Sequence, residues 1–237
     1  MTLKHDLATN LLIGGDWRPG GEGGRFAVTD PATGDQLAEV ADATAADAVA
    51  AVEAAAAAQP GWGATAPRDR SEILRSCWQA MIDHTDELAE LIVRENGKPL
   101  TDARGEISYA AEFFRWNAEE AVRIQGTIGR APSGANRIIV HHPPVGVVLM
   151  IAPWNFPAAM ITRKLAPALA AGNAAVVKPA SETPLTSLRI AELMLDAGVP
   201  PGLVNLVPTT DAGAVFEAAV DLPPVRMISF TGSTATG

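Results

Sequence analysis

The hydrophobic and polar residues of the first forty positions follow the pattern of short strands separated by turns. The apolar runs are residues 11–13, 26–28 and 36–40, and sequences rich in Gly, Asp and Pro lie between them. Because glycines and prolines interrupt strands and favour turns, this pattern predicts an edge-like β segment at the start of the chain.

From residue 44 onwards the apolar residues recur at helical spacing, which predicts three helices. Residues 44–59 form a first helix, capped by its threonine, which Pro60 is expected to stop. A second helix begins at Pro67, carries apolar residues at steps of three and four, and ends at residues 96–99. Residues 101–125 give the third. The first half of the chain is therefore expected to be mostly helical.

From residue 145 onwards, apolar strands alternate with helical segments. The strands read as residues 145–152, 174–178, 204–207 and 225–231, and the helices between them as residues 158–171, 184–197 and 211–220. Such alternation predicts an α/β fold, a Rossmann-like parallel sheet with helices on both faces. The last residue falls where the next helix should begin, so the chain is expected to be truncated inside a repeating unit, which would expose strand surface.

Composition and charge disfavour several classes of function. The 237 residues are 48% hydrophobic, enough for a core, but no apolar run approaches a membrane span. The net charge of −9 is spread over the chain without a basic cluster, which disfavours nucleic acid as a partner. One cysteine and an N-terminus unlike a secretion signal favour a cytoplasmic protein.

The histidines and the cysteine do not suggest a metal site or a nucleophile. His141 and His142 are consecutive on a predicted strand and so point to opposite faces, whereas His5 and His84 are isolated. Cys77 lies in the apolar stripe of the second helix, where a thiol usually serves packing. No metal is expected.

The residues that carry candidate chemistry follow the buried strand at 145–152. The sequence Pro-Trp-Asn-Phe-Pro, residues 153–157, leaves the carboxyl end of that strand, where open α/β sheets bind their ligands. An alternative is that the two prolines only end the strand and start the helix, with Asn155 satisfying a turn.

Several ordered motifs resemble the aldehyde dehydrogenase superfamily, and succinate-semialdehyde dehydrogenases most of all. They begin with Gly-Gly-Asp-Trp at 14–17 and continue with Glu-Asn-Gly-Lys-Pro at 95–99 and Pro-Trp-Asn-Phe at 153–156. Lys-Pro-Ala-Ser at 178–181 and Ser-Phe-Thr-Gly-Ser-Thr at 229–234 complete the series. The resemblance covers the N-terminal portion of such an enzyme.

The resemblance implies a division into domains. Residues 1–125 and 146–237 correspond to the dinucleotide-binding domain, incomplete at its C-terminus, and residues 126–145 to protruding strands through which family members form homo-oligomers. The catalytic domain, with the nucleophilic cysteine and the general-base glutamate, is absent from the segment resembled. NADP or NAD is the implied cofactor, and a small aldehyde is the implied substrate.

The resemblance also assigns residues. Asn155 corresponds to the side-chain amide that stabilises the oxyanion formed when a thiolate attacks the aldehyde, and such a donor contributes ~3 kcal/mol in comparable sites. The residues that correspond to cofactor contacts are Ala152, Pro153, Trp154, Asn155, Lys178, Pro179, Ala180, Ser181, Gly232 and Ser233. The Gly-Ser-Thr turn would present backbone amides at a helix N-terminus to the pyrophosphate.

Two positions bear on specificity. Many NAD-preferring members have a glutamate where this chain has Ser181, and serine removes the repulsion of the additional phosphate of NADP, although Glu182 could restore some discrimination. Arg163 resembles the arginine that binds the distal carboxylate of succinate semialdehyde, for which a guanidinium is suited. Its alternative interpretation is an ordinary surface arginine in an ion pair.

Two functions follow. The first is oxidation of an aldehyde to a carboxylate through a thiohemiacetal, hydride transfer to NAD(P) and thioester hydrolysis, performed by a complete enzyme and not by this chain alone. The second is a non-catalytic dinucleotide-binding or assembly module, which would explain the missing thiol directly.

Overall fold

The chain folds into one large mixed sheet, two small hairpins and seven helices within the residues that the computed structural model describes, 7–235 and 237. His5 lies outside this described part. The strands are β1 Leu11–Ile13, β2 Asp16–Arg18, β3 Arg25–Thr29, β4 Gln36–Ala41, β5 Thr127–Arg130, β6 Arg137–Val140, β7 Val147–Ile151, β8 Ala174–Lys178, β9 Val204–Leu206 and β10 Val225–Phe230. The helices are α1 Ala45–Ala64, α2 Pro67–Asp83, α3 Thr85–Asn96, α4 Leu100–Ala121, α5 Ala159–Ala170, α6 Pro184–Asp196 and α7 Ala212–Val220.

The large sheet has the strand order β10-β7-β8-β9-β1-β2. Its first four strands are parallel, as the alternation of strands and helices predicted, and β7 and β8 are buried apart from the last residue of each. The hairpin β1–β2 adds two antiparallel strands at one edge. Of the predicted β segment, the run at 11–13 joins this sheet as β1 and makes it mixed, whereas the runs at 26–28 and 36–40 form the separate hairpin β3–β4.

Helices cover both faces of the sheet. The crossovers from β7 to β8 and from β8 to β9 place α5 and α6 on one face, where α2, α3 and α4 pack over them. The chain then reverses direction from β9 to β10, which places α7 on the opposite face together with α1. The predicted α/β architecture is confirmed.

The first helix does not stop at Pro60, and that prediction is wrong. α1 continues to Ala64 because its last turn is anchored in the core. Trp62 is 3% exposed and donates its indole N–H to the Leu169 carbonyl at 2.8 Å, and Gln59 donates to the Gly172 carbonyl at 3.0 Å. These contacts offset the helix penalty of an internal proline, about 3 kcal/mol.

The second predicted helix is two helices. α2 ends at Asp83 and α3 begins at Thr85, with His84 between them at φ −106° and ψ 21°. The Thr85 hydroxyl donates to the Ile82 carbonyl at 2.7 Å, a local bond that competes with helix continuation. The apolar stripe nevertheless faces the core on both sides of the break, since Met81 and Leu88 are buried.

The hairpin β5–β6 pairs only with itself and presents apolar side chains to solvent. Ile128 is 69% exposed and Ile139 is 72% exposed. β6 ends at Val140, so the placement of His141 and His142 on a strand is wrong, and both are exposed in the following extended loop. The prolines at 143 and 144 account for this, because proline cannot donate to a strand ladder.

None of the helices in the described part of the chain is long and apolar enough to cross a membrane.

Buried glutamates satisfy the N-termini of the two helices that follow β7 and β8. Glu106 on α4 accepts the backbone N–H groups of Ala158 and Ala159 at the start of α5, at 2.9 and 3.2 Å. Glu95 on α3 accepts those of Leu185 and Thr186 at the start of α6, at 2.7 and 2.8 Å. Neither helix has a side-chain cap of its own, so these carboxylates tie the outer helices to the inner ones.

The Glu95 carboxyl links stability to pH. Burial raises its pKa from 4.5 to about 7, Glu106 adds to the shift, and the helix N–H groups oppose it. Because the folded state holds this proton more tightly than the unfolded state, the free energy of unfolding falls as pH rises between these two values. The decrease from this group is at most about 3 kcal/mol.

Replacing Glu95 by glutamine removes this titration. We expect the free energy of unfolding of Glu95→Gln to increase relative to that of the parent by up to about 3 kcal/mol between about pH 5 and about pH 8, because only the parent loses stability over this range. Urea unfolding followed by circular dichroism at both pH values measures it. The exposed Glu53 on α1, changed to glutamine, controls for the loss of a charge. An equal difference at both pH values would contradict the raised pKa.

Candidate active site

The predicted site residues come together at one edge of the sheet. β7 lies between β8 and β10, and its last residue, Ile151, is in register with both Lys178 and Phe230. The Ala152 N–H donates to the Lys178 carbonyl at 3.2 Å, and the Thr231 N–H donates to the Ile151 carbonyl at 3.1 Å. The three segments that follow these strands therefore begin side by side, as parallel strands require.

Asn155 lies in the loop between β7 and α5. The loop leaves the core at Ala152, which is 5% exposed, and Trp154 is 54% exposed above it. Asn155 itself is exposed, and its side-chain amide makes no hydrogen bond to any residue in the described part of the chain. The amide is thus available to a ligand and does not satisfy a turn through its side chain, which was the alternative interpretation.

Lys178 and Ser181 begin the loop between β8 and α6. Lys178 is half-buried, and its ammonium makes no hydrogen bond within residues 7–235 and 237. Burial lowers its pKa, and Glu182 opposes that shift. The Ser181 hydroxyl donates to a Glu182 carboxylate oxygen at 3.2 Å. Pro179 and Ala180 are buried beneath this loop.

Gly232 and Ser233 follow β10 at the same edge. A Cβ on Gly232 would lie 2.5 Å from Cζ of the Phe230 ring, so a side chain at this turn would require the ring to move. The described residues after Gly232 form a bend and a turn, in which the Gly237 N–H donates to the Ser233 carbonyl at 3.1 Å. The resemblance implies a helix N-terminus at this turn, which stays a prediction.

Lys164 fixes the end of β10 to α5. Its buried ammonium donates to the Ser229 hydroxyl at 3.1 Å and to the Thr231 hydroxyl at 2.7 Å. Burial lowers the pKa of Lys164, and the neighbouring Arg163 cation lowers it further. The glycine turn is therefore held at a defined position relative to the helix that follows the Asn155 loop.

Arg163 projects from α5 into an aromatic surrounding. Its guanidinium donates to the Tyr109 hydroxyl at 2.8 Å and lies 5.2 Å from the centre of the Phe113 ring. No carboxylate pairs with it in the described residues, so the interpretation as an ordinary ion-paired arginine is not supported. An exposed cation held by aromatic rings can still accept an anionic partner.

Four polar residues next to the site were not identified from the sequence. Asn96, Lys98 and Glu106 contact the Asn155 loop, and Glu95 caps the neighbouring helix. The motif at 95–99 was interpreted as a helix end and as part of the family resemblance, without a role for its individual side chains. A signal was present in α4, where Glu106 occupies an apolar face shared with Ala103, Ile107 and Ala110. A charged residue on such a face indicates a buried partner.

Cys77 is 1% exposed on α2, and burial raises the pKa of its thiol to about 12. It packs in the core as predicted. A thiol that stays protonated and inaccessible is a poor nucleophile.

Comparison with known proteins identifies relatives. Residues 17–237 match the aldehyde dehydrogenase family. The chain is 49% identical to the Escherichia coli (strain K12) NADP(+) succinate-semialdehyde dehydrogenase GabD over 226 residues, 95% of this chain and 47% of the relative. It is 46% identical to the human mitochondrial succinate-semialdehyde dehydrogenase over 233 residues, 98% of this chain and 43% of the relative.

A comparison with solved structures finds relatives of the same kind. The succinate-semialdehyde dehydrogenase of Burkholderia pseudomallei superposes with a TM-score of 0.97 at 44% identity, covering all of this chain and 49% of that structure. The chain spans about half the length of the curated relatives it matches.

The burial of Cys77 predicts that the folded chain resists thiol reagents. We expect a colourimetric disulfide reagent at mildly alkaline pH to label no thiol in the folded protein and the single cysteine of the chain after denaturation. Fast labelling of the folded protein, at a rate similar to that of a free thiol, would show that Cys77 is accessible and would restore it as a candidate nucleophile.

Proposed function

The chain belongs to the aldehyde dehydrogenase family, and from this membership we propose that it forms the cofactor-binding part of an enzyme. The enzyme oxidises an aldehyde to the carboxylate with NADP or NAD, and succinate semialdehyde is its substrate. These 237 residues contribute the dinucleotide site and one oxyanion donor. The thiol nucleophile and the general base belong to a second part of the polypeptide, since Cys77 is buried.

The observation that carries this proposal is the convergence of three loops at one sheet edge. Asn155 follows β7, Lys178 ends β8, and Gly232 follows β10, all aligned by the register at Ile151. In open α/β sheets this edge is where ligands bind. Within the described residues, an amide and an ammonium without hydrogen-bond partners lie at one edge with a close glycine turn, and a dinucleotide and a reacting carbonyl require such groups.

A dinucleotide fits the residues present. The half-buried Lys178 ammonium and the Ser181 hydroxyl are donors suited to the hydroxyls of a ribose, and the absence of a Cβ at Gly232 admits a pyrophosphate close to the backbone. When bound, the nicotinamide accepts a hydride from the substrate carbon. Before that transfer, Asn155 stabilises the charge that forms on the substrate oxygen when a thiolate attacks the aldehyde, through its side-chain N–H, a contribution of ~3 kcal/mol in comparable sites.

Arg163 selects the substrate in this proposal. Its guanidinium lacks a carboxylate partner in the described residues and is oriented by Tyr109 and Phe113. A semialdehyde acid offers the missing carboxylate, which a planar guanidinium binds through two parallel hydrogen bonds. The names of the two relatives at 49% and 46% identity support the same substrate.

The division of the chain follows from the same proposal. Residues 1–125 and 146–237 form the dinucleotide-binding domain, and residues 126–145 form strands of an oligomer interface. The exposed apolar side chains of the β5–β6 hairpin support this, because Ile128, Ile138 and Ile139 are 48–72% exposed. Isolated hairpins of this kind are covered in a stable protein. A homo-oligomer of the complete enzyme covers them.

The overall proposal is tested by reading the gene past the codon for Gly237 and assaying the encoded protein. An open frame that supplies a cysteine and a glutamate in sheet-end loops, with formation of NADPH from succinate semialdehyde, is the expected result. A stop codon together with dinucleotide binding but no aldehyde oxidation would favour the non-catalytic module. Titration of the 237-residue chain with NADPH, followed by fluorescence, measures binding alone.

Replacing Arg163 by alanine in the complete enzyme tests substrate selection. The KM for succinate semialdehyde is expected to rise about 10- to 100-fold, as for loss of a charged hydrogen-bonded pair. The KM for a neutral aldehyde of similar size, such as butanal, is expected to change little. Arg115→Ala, an exposed arginine paired with Glu112 on α4, is the matched control. Equal changes for both aldehydes would remove this role.

Replacing Ser181 by glutamate tests cofactor selection. A carboxylate at this position repels the 2′-phosphate of NADP, so the KM for NADP is expected to rise about tenfold or more relative to that for NAD. Ser181→Gln has the same length without the charge and is the control. If both substitutions change the two KM values in the same proportion, charge at this position does not discriminate between the cofactors.

A further inference from the structure

The turn after α3 holds two successive carbonyl groups of the Asn155 loop. Asn96 donates its side-chain amide to the Trp154 carbonyl at 2.9 Å, and the Lys98 ammonium donates to the Asn155 carbonyl at 3.0 Å. These contacts join positions 57 and 58 residues apart in the sequence. Two side chains of one tight turn therefore fix two consecutive peptide groups in the loop.

Gly97 gives this turn its shape. It ends α3 in the left-handed region at φ 75° and ψ 13°, and its N–H donates to the Val93 carbonyl. A Cβ at this position would lie 3.1 Å from Cγ of Pro31, tighter than an ordinary contact. The chain can thus reverse between Asn96 and Lys98 only because the residue between them is glycine.

Lys98 is itself held in place by the loop and by Glu106. Its ammonium lies 4.0 Å from the centre of the Phe156 ring and forms an ion pair with the Glu106 carboxylate. The Glu106 side chain is 1% exposed and that of Lys98 is 14% exposed, so water screens this pair little. The other oxygen of Glu106 accepts the N–H groups that begin α5.

The loop is therefore held at both ends by one polar network. Asn96 and Lys98 donate to the carbonyl groups of residues 154 and 155, and Glu106 accepts the N–H groups of residues 158 and 159. The Thr183 hydroxyl is a further donor to the Trp154 carbonyl, at 3.4 Å. Between these fixed points the Asn155 side chain has no hydrogen bond of its own in the described residues. Its direction is set by the backbone.

We propose that Asn96, Lys98 and Glu106 are positioning residues that aim the Asn155 amide at the substrate oxygen. This inference rests on the proposed function. They touch neither substrate nor cofactor and act through the backbone of the loop. A donor contributes to an oxyanion site only when it lies at hydrogen-bond distance from the developing charge, and a displacement of about 1 Å costs up to about 100-fold in rate.

A double-mutant cycle with Asn155 separates positioning from general stability. In the complete enzyme, Lys98→Met and Asn96→Ala are each expected to lower kcat about 10- to 100-fold with little change in the KM for NADP. Asn155→Ala is expected to lower kcat about 100- to 1000-fold. Adding either substitution to Asn155→Ala should then reduce kcat little further, because the amide that they orient is already gone.

Arg104→Gln is the matched control. Arg104 lies on α4 two residues before Glu106, and its ion pair with Asp86 is exposed, so kcat is expected to be unchanged. Lys98→Met leaves the Glu106 charge buried without its partner and can reduce folding, which a thermal melt reports. Asn96→Ala removes only a neutral hydrogen bond to the same loop. If Lys98→Met folds poorly, the kcat of Asn96→Ala therefore decides whether the positioning role holds.

The failures are distinguishable. If the kcat losses of the Asn96 and Lys98 variants multiply with that of Asn155→Ala, the positioning role is overturned. It is also overturned if those variants are as active as Arg104→Gln. Both results leave the proposed function intact. A parent enzyme that forms no NADPH from any aldehyde tested, although it binds the dinucleotide, overturns both.

Discussion

The structure depends on two buried carboxylates that satisfy the N-termini of the helices after β7 and β8. A helix that begins inside a protein has backbone donors that water cannot reach, and each donor left without an acceptor costs about 1–3 kcal/mol. Glu106 and Glu95 supply the acceptors from α4 and α3. The outer helical layer is thus bonded to the layer beneath it at the edge of the sheet where the candidate site lies.

This constraint explains how the outer helices act on the candidate site, which is through the backbone of its loops. The negative charge of Glu106 requires Lys98, and Lys98 in turn reaches the Asn155 carbonyl. The charge of Glu95 is less well compensated, which is why burial raises its pKa to about 7. The sheet edge that carries the candidate site is therefore held in place by residues that precede it by some fifty to ninety positions in the sequence.

The sheet and the position of the site were predictable because both follow from local pattern. Strand periodicity located β7, β8 and β10, and their carboxyl ends placed Asn155, Lys178 and Gly232 at one edge. The errors arose where distant contacts outweigh local preference. Pro60 stays within α1 because Trp62 bonds to Leu169, 107 residues away. The roles of Glu95, Lys98 and Glu106 are likewise set by partners that no local window contains.

The strand β10 has a consequence of a different kind. It is an edge strand of the sheet within the described residues, and Met227, Ile228 and Phe230 are 37–53% exposed on it. At the opposite edge the three-residue strand β2 runs antiparallel and limits growth. The β10 edge therefore offers a longer row of unpaired backbone groups to further strands than the β2 edge does, and a strand added there leaves the candidate site in place. Such an asymmetry would let evolution vary what is added beside β10 while conserving the parallel strands that carry the candidate site.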